Sequence, residues 1–234
     1  MNKEEFIKIL KEKDIVLNDK QIKQFELYYQ TLIEWNEKMN LTAITEESDV
    51  YLKHFYDSLT PSFDFDFNDQ TLCDIGAGAG FPSIPLKIVY PHLKVTIVDS
   101  LSKRITFLNH LIKVLGLEDV TAISARAEEH ALKNREVYDI VTARAVARLN
   151  ILDELCLPLV KKKGYFITLK GRIGKEELKE AMNGIKILGG KVVKEVEFNL
   201  SSIDDKRCNI YIQKEKNTSK QYPRAFGKIK KKPL

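Results

Sequence analysis

The sequence predicts an α/β protein: a mostly parallel central sheet with a terminal antiparallel hairpin, preceded by an N-terminal helical extension. Three observations carry that reading. Short β-rich runs alternate with helical patterns through the middle of the chain, a glycine-rich turn follows the first run, and the last two runs have no helix between them. Alternation builds βαβ units and a parallel sheet, whereas two adjacent strand patterns form a hairpin.

The elements follow in order. MNKEEFIKILKEKD is charged and helical, and Asn18 with Gln21 gives a capping-box start to a second helix. Ile22, Phe25, Tyr29, Leu32 and Ile33 recur on one face of it, where Tyr28, Tyr29 and Trp35 read as packing residues. The polar segment SFDFDFNDQ then leads into strands expected near 71–75, 94–99, 119–124, 138–143 and 164–169, with KVVKEVEF and RCNIYIQ as the closing pair. Residues 1–60 form the helical extension, 61–213 the α/β domain and 214–234 a tail. A chain of 234 residues can bury a full core in one such domain.

Several classes are excluded by composition. No apolar run approaches the roughly twenty residues that span a bilayer, and no signal-peptide pattern opens the chain. Cys73, Cys156 and Cys208 are odd in number and far apart, so neither a disulfide framework nor a metal site is expected. His54, His92, His110 and His130 make no ligand pattern. These features point to a cytoplasmic, metal-free protein with no membrane partner.

Charge is distributed unevenly. From Lys214 to Leu234 eight basic residues face one acid, a net +7, while the rest of the chain balances thirty basic groups against thirty-two acidic ones, or −2. Such a block binds nucleic acid through phosphate contacts or serves as a solvated face. Tyr222 and Phe226, interleaved with the cations, favour RNA, because aromatic faces stack on bases. The RNA contacts are expected at Arg224, Lys228, Lys230, Lys231 and Lys232. Truncation after Gln213 should then weaken RNA binding and leave cofactor affinity nearly intact.

The glycine turn names a cofactor. LCDIGAGAGFP places Gly76, Gly78 and Gly80 at alternate positions after Asp74, where α/β proteins bind nucleotides. The dinucleotide fingerprint would need glycine at position 81, and Phe81 obstructs that close helix–strand approach beneath a pyrophosphate. S-adenosylmethionine (SAM) has no pyrophosphate, and the D-x-G-x-G-x-G spacing resembles motif I of the SAM-dependent methyltransferases. Asp99 closes the run KVTIVD nineteen residues after Gly80, the usual distance for a carboxylate that holds ribose hydroxyls. Asp99 could equally cap the helix that follows, as could Ser100 or Ser102.

Further motifs extend the resemblance to nearly the whole chain. YYQTLIEWNEKMNLTAIT, HFYDSL, DIGAGAGFPSIPL, AEE at 127–129, TARAVARL at 142–149, LKG at 169–171, YPR at 222–224 and the closing KxPL are similar to the RsmG (GidB) family. Its members are bacterial methyltransferases that modify guanine N7 in 16S ribosomal RNA on a Rossmann-like fold. The resemblance implies a SAM pocket of Asp74, Gly76, Gly78, Gly80, Phe81, Asp99, Ser100, Leu101, Ala127, Glu128 and Arg144. Glycine-turn N–H groups would face the methionine carboxylate, and Ala127–Glu128 the adenine edge. It also implies 16S rRNA or the small ribosomal subunit as partner, and a monomer. Ala225, Phe226 and Ile229 depart from the family's tail pattern.

What the chain lacks narrows the chemistry. TARAV stands where amine methyltransferases carry [DN]-P-P-[YF], and Cys156 lies in an apolar helical run rather than poised as the nucleophile that pyrimidine C5 chemistry needs. Guanine N7 has an in-plane lone pair and no proton to lose, so positioning suffices and no general base is expected. Arg144, Arg148 and Lys170 are expected to position substrate or cofactor; for Arg148 a surface salt bridge is an equal reading. Asn40 and residues 54–58 are expected at the pocket rim.

Overall fold

The computed structural model describes residues 1–200 and 205–234. Two helices open the chain, α1 (Lys3–Glu12) and α2 (Asp19–Met39), each started by a capping box, Asn2 with Glu5 and Asn18 with Gln21. Asn40 ends α2 in the left-handed conformation, φ 50°, which asparagine tolerates better than most residues. The turns α3 (Glu47–Val50), a π-helical stretch Tyr51–Tyr56, α4 (Asp57–Leu59) and a 3₁₀ turn Thr60–Phe63 then run directly into one another.

Seven strands follow, β1 (Thr71–Ile75), β2 (Lys94–Asp99), β3 (Val120–Ser124), β4 (Tyr138–Arg144), β5 (Val160–Lys170), β6 (Gly190–Asn199) and β7 (Lys206–Lys214). They lie in the order β3-β2-β1-β4-β5-β7-β6, with β3 through β5 parallel and β7 antiparallel to both its neighbours. The expected strands are thus present, and β5 starts four residues before the expected 164. Its exposed opening, KKK, hid that extension from a reading based on apolar pattern.

Strand alternation sorts the core into two layers. Leu72, Val95, Ile97, Ile140, Ile167 and Tyr211 face a layer formed with α1, α2, α5 (Ser83–Val89) and α6 (Ser102–Val114). Cys73, Val98, Val141, Phe166, Ile210 and Ile212 face the other, formed with α8 (Leu149–Cys156), α9 (Gly174–Ile187) and α10 (Phe226–Lys231). The remaining helix, α7 (Ala127–Lys133), contributes Ala131 to that second layer. β6 is a sheet edge, and its Lys191, Lys194, Glu195 and Glu197 make it a poor template for a further strand.

The helical extension is stitched to the α/β core by polar side chains. Gln21 Nε2 donates to the carbonyls of Ile88 and Val89 at the end of α5, and Gln24 Nε2 to Leu115. Tyr28 Oη reaches the Ala79 carbonyl at 2.6 Å, inside the glycine turn. Trp35 packs half-buried against Phe107 and His110.

Candidate active site at the carboxyl edge of the sheet

The turn after β1 is built on positive φ at Gly76 (71°), Gly78 (61°) and Gly80 (101°). At two of these positions a side chain has no room. A Cβ on Gly76 would lie 2.7 Å from Val146, and one on Gly80 2.7 Å from Tyr28 Oη. The glycines therefore admit neighbours from the turn after β4 and from α2 rather than simply easing the bend. Phe81, where a third glycine is absent, is buried between the rings of Tyr28 at 5.3 Å and His54 at 4.4 Å.

Asp74 does not reach a cavity. Fully buried, it accepts the Ser83 N–H on Oδ2 at 3.1 Å while Oδ1 has no partner, and burial pushes it up to about 7. Its role in the geometry is to tie β1 to the start of α5. The N–H groups expected to face an anion are also engaged: Gly76 bonds Val98 O, Gly78 bonds Asp99 Oδ2, and Gly80 and Phe81 both bond Ala77 O.

A cavity of about 410 Å³ opens beside this turn, lined by Gly76, Asp99, Ser100, Ala127, Glu128 and, from the tail, Phe226. Asp99, at the end of β2, accepts Leu101 N–H on Oδ1 at 2.9 Å, and on Oδ2 Gly78 N–H and Arg104 Nη1, each at 3.2 Å. Leu101 contributes this N–H, while its side chain is exposed. Glu128 Oε1 takes Arg126 Nε at 2.7 Å, and the Arg126 guanidinium lies 5.1 Å over the Phe226 ring. A smaller pocket of about 170 Å³ continues past Gly76 and Gly78 to Phe81, Arg104 and Arg144.

A second cavity of about 500 Å³ shares Ala145 and Val146 with the first. Arg144, the last residue of β4, donates to Asp57 Oδ2 at 2.8 Å, to the Lys53 carbonyl at 2.9 Å and to His54 Nδ1 at 3.0 Å. Its guanidinium also lies 5.1 Å from the Phe81 ring. Burial, reinforced by Arg144, pushes His54 down to about 3, so the imidazole is neutral. Since Nδ1 accepts from Arg144, the tautomer places the proton on Nε2, which donates to Thr42 Oγ1 at 2.9 Å. Lys170 Nζ donates to Ala147 O and Glu177 Oε2, both at 2.7 Å. Arg207 reaches the far oxygen of Asp57 at 3.3 Å.

Not every expected residue converges here. Arg148 lies outside both cavities and forms a half-exposed pair with both oxygens of Glu180 at 2.7 Å. Of the rim candidates, His54 and Asp57 line the second cavity, Asn40 serves as the α2 cap, and Ser58 is buried on the His54 carbonyl. Tyr28 packs as expected and also bonds the glycine turn, whereas Arg104, Val146 and Arg207 carry no motif that marks them, and the neighbours of Val146 and Arg207 are distant in sequence.

The tail is packed, not solvated. Arg224 binds fully buried Glu154 through its backbone N–H and guanidinium at 2.6–3.1 Å. Arg135 holds the Tyr222 carbonyl, Ile229 is fully buried, and Tyr222 and Phe226 pack on the second core layer. The Tyr222 ring and the Arg224 cation are therefore already committed within the chain, while Phe226 also lines the first cavity. Lys228, Lys230, Lys231 and Lys232 are exposed. Lys214 is no tail residue but the buried end of β7, its Nζ on Leu157 O and Thr218 Oγ1, and burial lowers it to about 8.

Beside Glu154, Asp153 is buried with Oδ2 unpartnered, and burial pushes it up to about 7 against the Glu154 N–H. A raised carboxyl favours folding most below its unfolded value near 3.8, and that stabilisation is lost as pH climbs through about 7. Asp153→Asn should therefore match the wild type near pH 4 and melt on the order of 5 °C higher at pH 8. Thermal melts across that range check it; parallel curves would reject the assignment.

Among the described residues no cluster of His, Cys, Asp and Glu could hold a metal, and no helix is long and apolar enough to cross a membrane. Solved structures share the fold. A SAM-dependent methyltransferase from Aquifex aeolicus superposes with a TM-score of 0.54 at 18% identity, over 72% of this chain and 94% of that one. Pyrococcus horikoshii TYW2 in complex with MeSAdo gives 0.55 at 16% identity, over 68% of this chain and 62% of that one. At the level of sequence, the chain is 62% identical over 227 residues to a ribosomal RNA small subunit methyltransferase G of Staphylococcus epidermidis, covering 96% of this chain and 95% of the relative. It is 56% identical over 236 residues to that of Macrococcus caseolyticus, covering 100% and 99%. The GidB family model, rRNA small subunit methyltransferase G, matches residues 21–206. With that model over most of its length and such relatives over nearly all of it, the chain belongs to the rRNA small subunit methyltransferase G family and is a SAM-dependent enzyme.

Proposed function

We propose that the chain methylates N7 of a guanine in 16S rRNA, with SAM in the first cavity and the guanine in the second. The observation that carries this is the shared wall, Ala145–Val146 at the end of β4, where two cavities of about 410 and 500 Å³ meet. When bound, SAM supplies a methyl group already activated by its sulfonium.

The residues present fit that cofactor. Three of the roughly four lone-pair sites of Asp99 are taken by Leu101, Gly78 and Arg104, so one ribose hydroxyl bonds directly and a second displaces half-buried Arg104. Ser100, Ala127 and Glu128 face the adenosine end. Because the glycine-turn N–H groups are engaged, the methionine carboxylate is assigned to Arg104 and Arg144 in the smaller pocket.

Among the described residues the second cavity holds no free base. His54 has both nitrogens bonded, Asp57 is paired with Arg144 and Arg207, and Glu177 with Lys170. Such a set orients a base without removing a proton, which is what attack by N7 requires. Its cations suit guanine O6 and RNA phosphates, and Asp57 and Glu177 offset the charge that N7 acquires. The exposed lysines of α10 contact the RNA backbone. A monomer in the cytoplasm is the form in which we propose that it acts.

Labelled SAM offered to small ribosomal subunits, naked 16S rRNA and a panel of small molecules should transfer to RNA alone. Borohydride–aniline treatment should then cut the RNA at the labelled guanine; an uncut labelled product would reject N7.

A further inference from the structure

The first cavity borrows a wall from a region far away in sequence. Phe226 lines it together with Asp99, Ala127 and Glu128, 98 positions after Glu128. It is held there from both sides. Two residues before it Arg224 is locked on Glu154, and three residues after it Ile229 is fully buried. The Arg126 guanidinium covers the ring and is itself fixed by Glu128. The same short helix that starts at Phe226 points Lys228, Lys230, Lys231 and Lys232 into solvent.

We infer that Phe226 is a cofactor-positioning residue whose ring forms part of the wall around the adenine. This rests on the proposed function for the identity of the cofactor. The ring lines the same cavity as Asp99, Ala127 and Glu128, and an aromatic wall matches a flat purine. Because Arg224 and Ile229 anchor the segment on either side, the ring is in place before the cofactor arrives.

The test measures dissociation of labelled S-adenosylhomocysteine by equilibrium dialysis. Phe226→Ala should weaken binding about tenfold. Phe226→Leu, which keeps apolar bulk and so the fold, should also weaken it several-fold at an unchanged melting temperature. The inference fails if Phe226→Leu binds within about twofold of the wild type. A wild type that binds no S-adenosylhomocysteine would overturn the proposed function as well.

Discussion

Truncation after Gln213 is expected to unfold the protein rather than to trim an RNA-binding arm. The lost segment carries Arg224, whose guanidinium is the partner of Glu154, and Glu154 is 0% exposed. Removing one member of a buried pair leaves the other charge without compensation, at a cost of about 3–5 kcal/mol. Loss of fully buried Ile229 uncovers the second core layer, for about 2–5 kcal/mol more. Lys214, which satisfies the Leu157 carbonyl and Thr218, goes too. Each loss is large beside the 5–15 kcal/mol that holds a typical domain together. Circular dichroism with a urea titration reads the outcome directly. A truncated chain that melts like the full one and binds S-adenosylhomocysteine normally would restore the tail to a mere appendage, as its composition suggested.

Arg144→Ala is the second large effect. This side chain joins the second cavity and the smaller pocket to the helical extension, since it bonds Asp57, the Lys53 carbonyl and His54 while covering Phe81. Without it, among the described residues, Asp57 keeps only the Arg207 ion pair, at 3.3 Å, and Phe81 loses a cation–π partner. The π-helical stretch that presents Lys53 and His54 loses its fastening to the sheet. Methyl transfer to rRNA should fall by at least about 100-fold, because misplaced reacting atoms cost that much without any chemical group being removed. Arg144→Lys should recover little of it, since an ammonium cannot serve three acceptors in one plane. Single-turnover methylation with saturating SAM separates this from weakened cofactor binding. Activity within about tenfold of wild type would show that Arg144 only braces the fold.

The sheet was legible because its signals are local. β1 and β2 run over the expected residues, since an apolar run ended by glycine or aspartate needs no distant partner to be read. Asn18 with Gln21 starts α2 by the same logic. Asp99 was legible by spacing, and it does line the cavity beside Ser100, Ala127 and Glu128. Asp74 shows where spacing stops. A motif that puts an acid before the glycines does not say whether it faces a ligand or, as here, a buried turn N–H.

The tail shows the same limit in charge. Eight basic residues in twenty-one positions look alike in composition, yet Lys214 is buried, Arg224 is paired and Lys228 to Lys232 are divided between core-facing Ile229 and exposed lysines. Net charge is a property of the segment; what Arg224 touches depends on Glu154 in α8, 70 positions away, and what Lys214 touches on Leu157 just beyond it.

By itself, then, the sequence determined the α/β class, the strand pattern, the glycine turn with Asp99 and the family's motifs, all of which are written in residues near one another. Only the tertiary structure decided what fills the space around them. It turned Asp74 into a brace, placed Arg148 on the surface, tied Arg144 to Asp57 and His54, and brought Phe226 to the wall of the first cavity. The physical reason is that an ionisable or aromatic side chain takes its role from burial and from its partners, and in this fold those partners arrive from other crossovers of the sheet.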